Sequence, residues 1–554
     1  MFKGHPKGLI VLFFSNMGER FGYYTMMAIF TLFFEAKFGL QIQDVGFIWG
    51  AFLFSIYFLP LFGGMLADKI GYGKVVSMGI VLMFTGYAMM AIPGQGMIFI
   101  YVSLFVIAAG TGFFKGNLAV LVGNLYESEK YKKMTDSAFN IYYMGINVGA
   151  FFAPFAATGI RNWLMAKDGL EYSAKLPGMV HLFLRGELAD ATELTRLATQ
   201  QLGDKFTNLT DFCNRYVASL SQGYNAGFAI ASVSIVLSLV IFLAFRKYYK
   251  HADYLQKDKI KTAEDAKELT PEQFRHRIFA LLMVFAVVIF FWMAFHQNGY
   301  LLTVFAKNYT VDSVGPFTFI FFNLSSFLSL IAVIIGIIWV VGRNFQKIYK
   351  MIGAALIVVG GAVLYWRYST YAETNHISPE LFQSFNPIFV VFLTPLIVAF
   401  FARLNRKGKE PATPRKIGIG MMLLGAGWML MVLVALIRGL DSPATLAPVG
   451  GVSSLLVSPY WLISIYFAST VAELFISPMG LAYVAKVAPP KIRGTMQGGW
   501  LAATAIGNLL SGVMGTPYAK LELWQSYGIL VVTSVIAGGI MFLMLKKLEK
   551  FTSS

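Results

Sequence analysis

The chain has 554 residues, of which 57% are hydrophobic, 16% aromatic and only 13% charged, and its mean hydropathy is +0.64. Soluble proteins carry about a quarter charged residues, so this composition excludes a string of soluble domains and predicts a polytopic membrane protein. The formal net charge of +17 would suggest nucleic acid in a soluble chain, but here the basic residues fall in alternate loops and read as topology signals, with no nucleic-acid partner expected.

The N-terminus, MFKGHPKG, leads straight into an apolar run without a small-residue cleavage site, so no removable signal peptide is expected. Stretches of about twenty apolar residues predict fourteen spans, at roughly 9–36, 44–67, 74–94, 98–123, 137–159, 225–247, 278–305, 316–341, 350–368, 384–404, 416–438, 459–485, 494–517 and 524–546. Lys3 and Lys7 precede the first span, and every second loop after it is basic, from Lys69 and Lys74 to Lys546, Lys547 and Lys550. The intervening short loops carry few cations, such as Lys37, Lys307 and Lys520. The bias predicts both termini in the cytoplasm of a cell, with a bacterial inner membrane as the expected location.

The first span holds SNMGERFGYYTMMAIF, from Ser15 to Phe30. Asn16, Glu19, Arg20, Tyr23 and Tyr24 fall at i, i+3, i+4, i+7, i+8 spacing on one helical face. Charges at that depth cost about 2.5–3.5 kcal/mol each on insertion scales, so they line a cavity or pair internally. A transport pathway and a structural ion pair are both open on this stripe alone. After the second span comes GGMLADKIGYGK, residues 63–74, whose small residues permit close helix packing while Asp68 and the lysines pair at one membrane face. It looks like the loop of the major facilitator superfamily that latches the cytoplasmic side.

Lys115 lies some eight residues inside the fourth span, in GTGFFKGN, where it either snorkels to the interface or serves the interior. Asn147, in YYMGINVGA of the fifth span, is a pathway donor and acceptor or a helix-packing hydrogen bond. Residues 160–224 form an extracytoplasmic insertion, with helical apolar spacing from Leu188 to Leu220 and Asp190 or Thr192 as its cap. A lid, a partner-binding module and a solvated decoration are all compatible with it. Cys213, the only cysteine, excludes an internal disulfide framework and a cysteine metal cluster; no metal or cofactor is expected. Residues 249–277 are charged and poor in apolar residues, as expected for a cytoplasmic surface helix linking two halves. Glu473, in AELFISPMG, is a lone carboxylate inside an apolar helix beside Pro478, so it neutralises or finds a cation, with Lys115 the obvious candidate. HExxH, GxSxG within a span and paired catalytic aspartates are absent, so an intramembrane enzyme has little support.

Taken in order, GERFGYY, FFKGNLAVLVGNLY, YYMGINVGAFFAP, SFNPIF, AELFISPMGL and APPKIRGTMQGGWLAATAIGN resemble the signature segments of the proton-coupled oligopeptide transporter family, across nearly the whole chain. The resemblance implies an all-α membrane protein of the major facilitator superfamily fold: two six-helix bundles around a central cavity, plus two extra transmembrane helices. On that scheme residues 1–159 supply helices 1–5 of the N-terminal bundle, 225–248 its sixth helix, 278–310 the first helix of the C-terminal bundle, 311–371 the extra pair and 372–554 the remainder. The extra pair then follows family helix seven (FFWMAFHQNG), although many bacterial members carry it before that helix.

The implied function is import of di- and tripeptides or peptide-like compounds by alternating access with protons, by a monomer embedded in lipid. By motif, Glu473 resembles the carboxylate that receives the peptide amino terminus, and Lys115 and Arg20 the cationic site for its carboxylate. Tyr23, Tyr24 and Tyr57 match pocket tyrosines, while Asn147, Asn386 and Trp500 match its polar and aromatic walls. Glu19, Arg20, Glu473 and His296 are the implied coupling groups. The sequence departs from the family at three places: Asn16 stands where the family has an acid, Met27 where it has a base, and His296 where it has an acid in helix seven. In the family the last two positions form an outward gate salt bridge that responds to protonation. Both partners are lost together, which leaves no orphan charge. His296 is then a neutral hydrogen-bonded histidine or a proton switch. A facilitator without coupling, a carrier of another amphipathic zwitterion or organic anion, and a sensor on a transporter fold remain as alternatives.

Overall fold

The computed structural model describes residues 2, 4–254, 270–343, 345–489, 492–546 and 548. The expected linker helix at 249–277 falls largely on residues outside this set.

The N-terminal half opens with α1 (Lys7–Phe38), which ends on Gly39 in the left-handed conformation that a Cβ disfavours. Then follow α2 (Ile42–Phe58) and α3 (Pro60–Ile70), broken by Pro60, α4 (Tyr72–Ala91) and α5 (Met97–Asn124). After the short α6 (Glu129–Lys132) come α7 (Thr135–Lys167), α8 (Leu176–Leu184), α9 (Thr192–Leu202) and α10 (Leu209–Ala244). Helix α1 packs between α7 and α10, and α4 packs on α5 and α10, so these helices close one bundle.

The second half begins with α11 (Pro271–Phe295), started by a Thr270–Gln273 capping box, and continues after a break at His296–Gly299 as α12 (Leu301–Tyr309). The short α13 (Pro316–Phe319) leads to α14 (Leu324–Val341) and α15 (Lys347–Ser369). This hairpin is closed by the glycine contact of Gly336 with Gly353, where a side chain would meet backbone. It presents long apolar faces outward, as expected for helices in lipid. A two-residue antiparallel pair, β1 (Ser313–Val314) with β2 (Asn375–His376), ties its ends together. Then come α16 (Phe385–Arg406), α17 (Thr413–Arg438), the short α18 (Pro443–Leu446), α19 (Tyr460–Val487), α20 (Arg493–Val513), the short α21 (Gly515–Lys520) and α22 (Leu523–Leu543). Helix α17 packs against α19 and α22, and α11 against α20, which closes a second bundle.

Twelve helical stretches among the described residues are long and apolar enough to cross a membrane. The other two expected spans correspond to α1 and α20, whose polar residues leave them short of that apolarity, so the count of fourteen is not reproduced on apolarity alone. Three expectations change further. The sixth helix begins at Leu209 rather than 225, so the end of the expected insertion is its first four turns. The seventh is broken at His296. The insertion is no solvated decoration either: Leu176, Met179, Val180 and Leu182 of α8 are buried, and Gly178 lies against Gly450 of the loop before α19, in the other bundle.

The bundles meet along two seams, α2 on α20 and α7 on α16 with the preceding turn Pro379–Ser384. Both seams are tight at the end of the molecule that carries α8 and α9, called the insertion end below. A Cβ on Gly50 would lie 2.7 Å from the Leu509 carbonyl oxygen, and one on Gly512 would lie 2.8 Å from Gly50 Cα. Cross-bundle hydrogen bonds concentrate there too. Tyr300 donates to the Ile42 carbonyl (2.5 Å), Thr31 to the Gly299 carbonyl (3.0 Å) and Ser384 to the Phe151 carbonyl (3.1 Å). The insertion end is therefore shut.

Candidate functional site

At the rise of an α-helix, Glu19 lies roughly 18 Å along α1 and Glu473 roughly 20 Å along α19, which runs the opposite way. The stripe on α1 and the lone carboxylate on α19 thus stand at similar depth, far from either membrane face.

Glu19 is fully buried and Arg20 is 4% exposed. The two form a bidentate pair, with Arg20 Nη2 donating to Glu19 Oε1 at 2.5 Å and Nε donating to Oε2. Neighbours in sequence meet this way only when both side chains lean to one side. The Arg20 guanidinium also lies over the Tyr23 ring, 4.9 Å from its centroid, and Tyr23 packs edge-on to Tyr24. Arg20 is consequently engaged on both its fork and its face. As a cation ready for a ligand it is the weaker of the two expected candidates.

Lys115 is the stronger one. It is partly exposed, and its Nζ sits 3.8 Å from the centroid of the Tyr57 ring. Among the described residues no carboxylate lies within ion-pair distance of it, which corrects the expected pairing with Glu473. A cation held on an aromatic face keeps N–H donors that point away from the ring free for a ligand, and this contact stabilises it by about 0.5–2 kcal/mol. Glu19 and Arg20 are its electrostatic neighbours.

Glu473 is held from within its own bundle. Asn386 Nδ2 donates to Glu473 Oε2 (3.1 Å) and to Thr470 Oγ1 (2.9 Å), while Thr470 donates back to the Tyr466 carbonyl (2.7 Å). The two residues expected from separate motifs, Asn386 and Glu473, therefore meet. Thr470, one turn before Glu473, was not anticipated; its i−3 spacing on the same face was the available signal. Glu473 lies near enough to Tyr24 and Tyr57 of the opposite bundle to act on both electrostatically.

His296 stands at the break between α11 and α12. Its Nδ1 lies 3.2 Å from the Trp292 carbonyl oxygen, which can only accept, so Nδ1 carries a hydrogen. Its ring packs edge-on to Tyr57 and against Trp292. This hydrogen bond fits both alternatives, since a neutral and a protonated ring can each carry Nδ1–H. Asn16, 2% exposed, donates to the Tyr142 carbonyl (3.4 Å) and stitches α1 to α7. Asn147 donates to the Tyr143 carbonyl of its own helix (3.0 Å), and no hydrogen bond joins it to the cluster among the described residues. Trp500 packs edge-on to Phe285 and over Gly480, about two helical turns beyond Glu473, so it lies on a different storey.

Tyr24, Tyr57, Lys115, His296, Asn386 and Glu473 all keep partial exposure at this depth, with an available cation on one bundle and an available anion on the other. Two further charged pairs cross between the bundles nearer the insertion end. Lys307 of α12 pairs with Glu35 of α1, and Arg161 of α7 pairs with Glu380 of the turn before α16 (2.5 Å). Neither was anticipated from the sequence.

A profile of the POT family, PTR2, matches residues 73–266 and 367–530. The chain is 28% identical to the peptide transporter YePEPT of Yersinia enterocolitica, over 93% of this chain and 88% of that one. It is 24% identical to dipeptide and tripeptide permease A of Escherichia coli, over 99% and 93%, and 27% identical to the uncharacterized transporter YclF of Bacillus subtilis, over 98% and 94%. Among solved structures, a crystal structure of a peptide transporter POT in complex with sulfate superposes with a TM-score of 0.66 at 22% identity, over 100% of this chain and 96% of that one. A POT family transporter in complex with 5-aminolevulinic acid gives 0.66 at 20%, over 99% and 98%. At those identities the structural likeness establishes a shared fold.

Proposed function

We propose that this chain, which belongs to the POT family, carries di- and tripeptides or peptide-like zwitterions across a membrane by alternating access, driven by protons, and is a transporter rather than an enzyme. The observation that supports this reading is the separation of Lys115 and Glu473 on opposite bundles, each without an ion-pair partner among the described residues. A zwitterionic peptide supplies the missing partner to both: its carboxylate takes Lys115 and its amine takes Glu473. Binding then links the bundles at mid-depth, and tyrosine walls between the charges accept varied side chains without demanding particular ones. The names of the Yersinia and Escherichia relatives point to the same substrate class.

Glu19 and Glu473 are the carboxylates proposed to carry coupling in the chamber, with termini in the cytoplasm and the insertion end outside. The hydrogen-bonded state of His296, together with apolar Met27, favours a second reading in which coupling is lost and the protein equilibrates its substrate. Uptake of a labelled dipeptide into proteoliposomes, with and without an inward proton gradient, separates the two. Accumulation above equilibrium only with the gradient supports symport; equilibration that ignores the gradient supports facilitation. A folded preparation that takes up no dipeptide rules out peptides as the cargo.

A further inference from the structure

A cavity of about 430 Å3 lies at the insertion end, and its walls come from both bundles. The N-terminal bundle supplies the turn from α1 to α2 and, through the insertion, α8; the C-terminal bundle supplies α12, the loop from Pro443 to Gly451 and α21. Two contacts hold these walls together: the Glu35–Lys307 ion pair, and the close approach of Gly178 on α8 to the Gly450 carbonyl. Helix α8 is moored to its own bundle, because His181 Nε2 donates to the Ala36 carbonyl (2.9 Å) and Arg185 Nη1 to the Gly39 carbonyl (3.2 Å). When the bundles part at this end, the cavity loses one of its sides.

The volume suits a small organic ligand, since such sites run from about 300 to about 1,000 Å3. The charges that line it balance, with Arg185 and Lys307 against Glu35 and Glu187. Burial holds the His181 imidazole below its usual range, so the ring adds no charge. Walls that show both signs and no net charge complement a molecule that carries one of each better than a simple cation or anion. Polar groups on both bundles are left for such a molecule. Arg185, whose side chain is 41% exposed, gives Nε to Glu187 and Nη1 to Gly39, and its Nη2 makes no hydrogen bond among the described residues. On α12, the buried Oδ1 of Asn308 has no hydrogen-bond partner among the described residues. A carboxylate at Arg185 and an ammonium at Asn308 and Glu35 would leave the body of the molecule against Pro177, Val304 and Leu446.

We propose that this cavity is a second, regulatory site for peptide-sized zwitterions, which bridge Arg185 and Asn308 and hold the insertion end shut, so that cargo in excess inhibits its own transport. The choice of ligand rests on the peptide reading above. The site is complete only when both walls are in place, so its ligand binds the shut form and stabilises it. At ten times its dissociation constant, the ligand raises the ratio of shut to open protein about elevenfold.

Ala519 of α21 lines the cavity, so Ala519→Cys in a Cys213→Ala background reports occupancy by its rate of reaction with a membrane-impermeant maleimide. The protein is full-length and reconstituted, and Lys115→Met is included to weaken the site between Lys115 and Glu473. Dialanine at ten times its dissociation constant should slow labelling about tenfold. Dialaninamide and N-acetyldialanine, each lacking one charge, should protect far less. Arg185→Gln, and separately Asn308→Leu, should raise the dialanine needed for half protection by about tenfold or more. Labelling that ignores dialanine, or protection unchanged in both variants, would overturn the site. With Lys115 intact, the initial rate of dialanine uptake should pass through a maximum and fall, whereas Arg185→Gln should level at a plateau. A plateau in the unsubstituted protein would overturn the inhibitory role. Protection without any dialanine uptake would defeat the peptide reading, and self-inhibition with it, while leaving a zwitterion site in the cavity; uptake without protection would do the reverse.

Discussion

Lys115→Met removes the cation proposed to hold the substrate carboxylate and keeps most of the side chain's volume. Among the described residues Lys115 has the Tyr57 ring and no carboxylate as a partner, so the change orphans no carboxylate. The stability loss should stay within the cation–π contribution of about 0.5–2 kcal/mol. With a zwitterionic peptide bound, the same ammonium makes a charge-assisted hydrogen bond to the ligand, which contributes about 1.5–3 kcal/mol. That range corresponds to a loss of affinity between about tenfold and a hundredfold. Dialanine and dialaninamide differ only in the terminal carboxylate, so calorimetric titration of both ligands isolates the term. The unsubstituted protein should prefer dialanine by at least about tenfold, and Lys115→Met should bind the two alike. A preference that survives the substitution would refute the assignment and move the carboxylate to Arg20, despite its bidentate engagement with Glu19.

Glu473→Gln should weaken a free-amine dipeptide by about tenfold or more and leave its N-acetylated form unchanged, because only the charged amine needs the carboxylate; equal effects on both would refute the amine contact. Gly512→Ala places a Cβ against Gly46 and Gly50 where α2 and α20 meet. Overpacking of about 1–3 kcal/mol should disfavour the shut seam and raise labelling at the insertion end; unchanged labelling would mean that α2 can shift at little cost. Asn16→Glu puts a carboxylate opposite the Tyr142 carbonyl, where an acceptor favours the protonated acid. Uptake should then become more strongly pH-dependent, and an unchanged profile would count against a coupling role for this position.

Much of the chamber was legible because its residues are polar exceptions within apolar helices. Glu19, Arg20, Lys115 and Glu473 stand out by the cost of placing charge at membrane depth, and that cost is a local property of sequence. Partner choice is not local. Lys115 and Glu473 invited pairing as the two lone charges, yet Asn386 reaches Glu473 first and Tyr57 supports Lys115. The packed role of α8 was overlooked for a similar reason. Its apolar face, Leu176, Met179 and Val180, lies in the part of the insertion with mixed charge around it, and only the loop at Gly450 reveals what that face meets. Arg161 and Glu380 are 219 residues apart, and Glu35 and Lys307 are 272 apart. Periodicity indicates that such residues face inward; which of them meet depends on how two bundles dock.

The lost charges at Met27 and His296 gain a physical sense from those pairs. Glu35 lies eight residues beyond Met27 on α1, about two turns nearer the insertion end, and Lys307 lies eleven beyond His296. In the family the base is on the first helix and the acid on the seventh; in this chain the acid is on α1 and the base on α12. Complementary charge is one way to close a seam between two bundles, and neither the rung nor the polarity is dictated. It does require that charges come and go in pairs, since a single buried survivor is destabilising by about 3–5 kcal/mol. Replacing an inner pair by apolar Met27 and a hydrogen-bonded His296, with an ion pair of reversed sign further out, satisfies that requirement. The outer pair is also better placed to be hydrated, with Glu35 and Lys307 both lining a cavity of about 430 Å3 between α8 and the bundles. A gate built there can break its salt bridge into water, whereas parting the buried Arg161–Glu380 pair leaves two charges that must each find another partner.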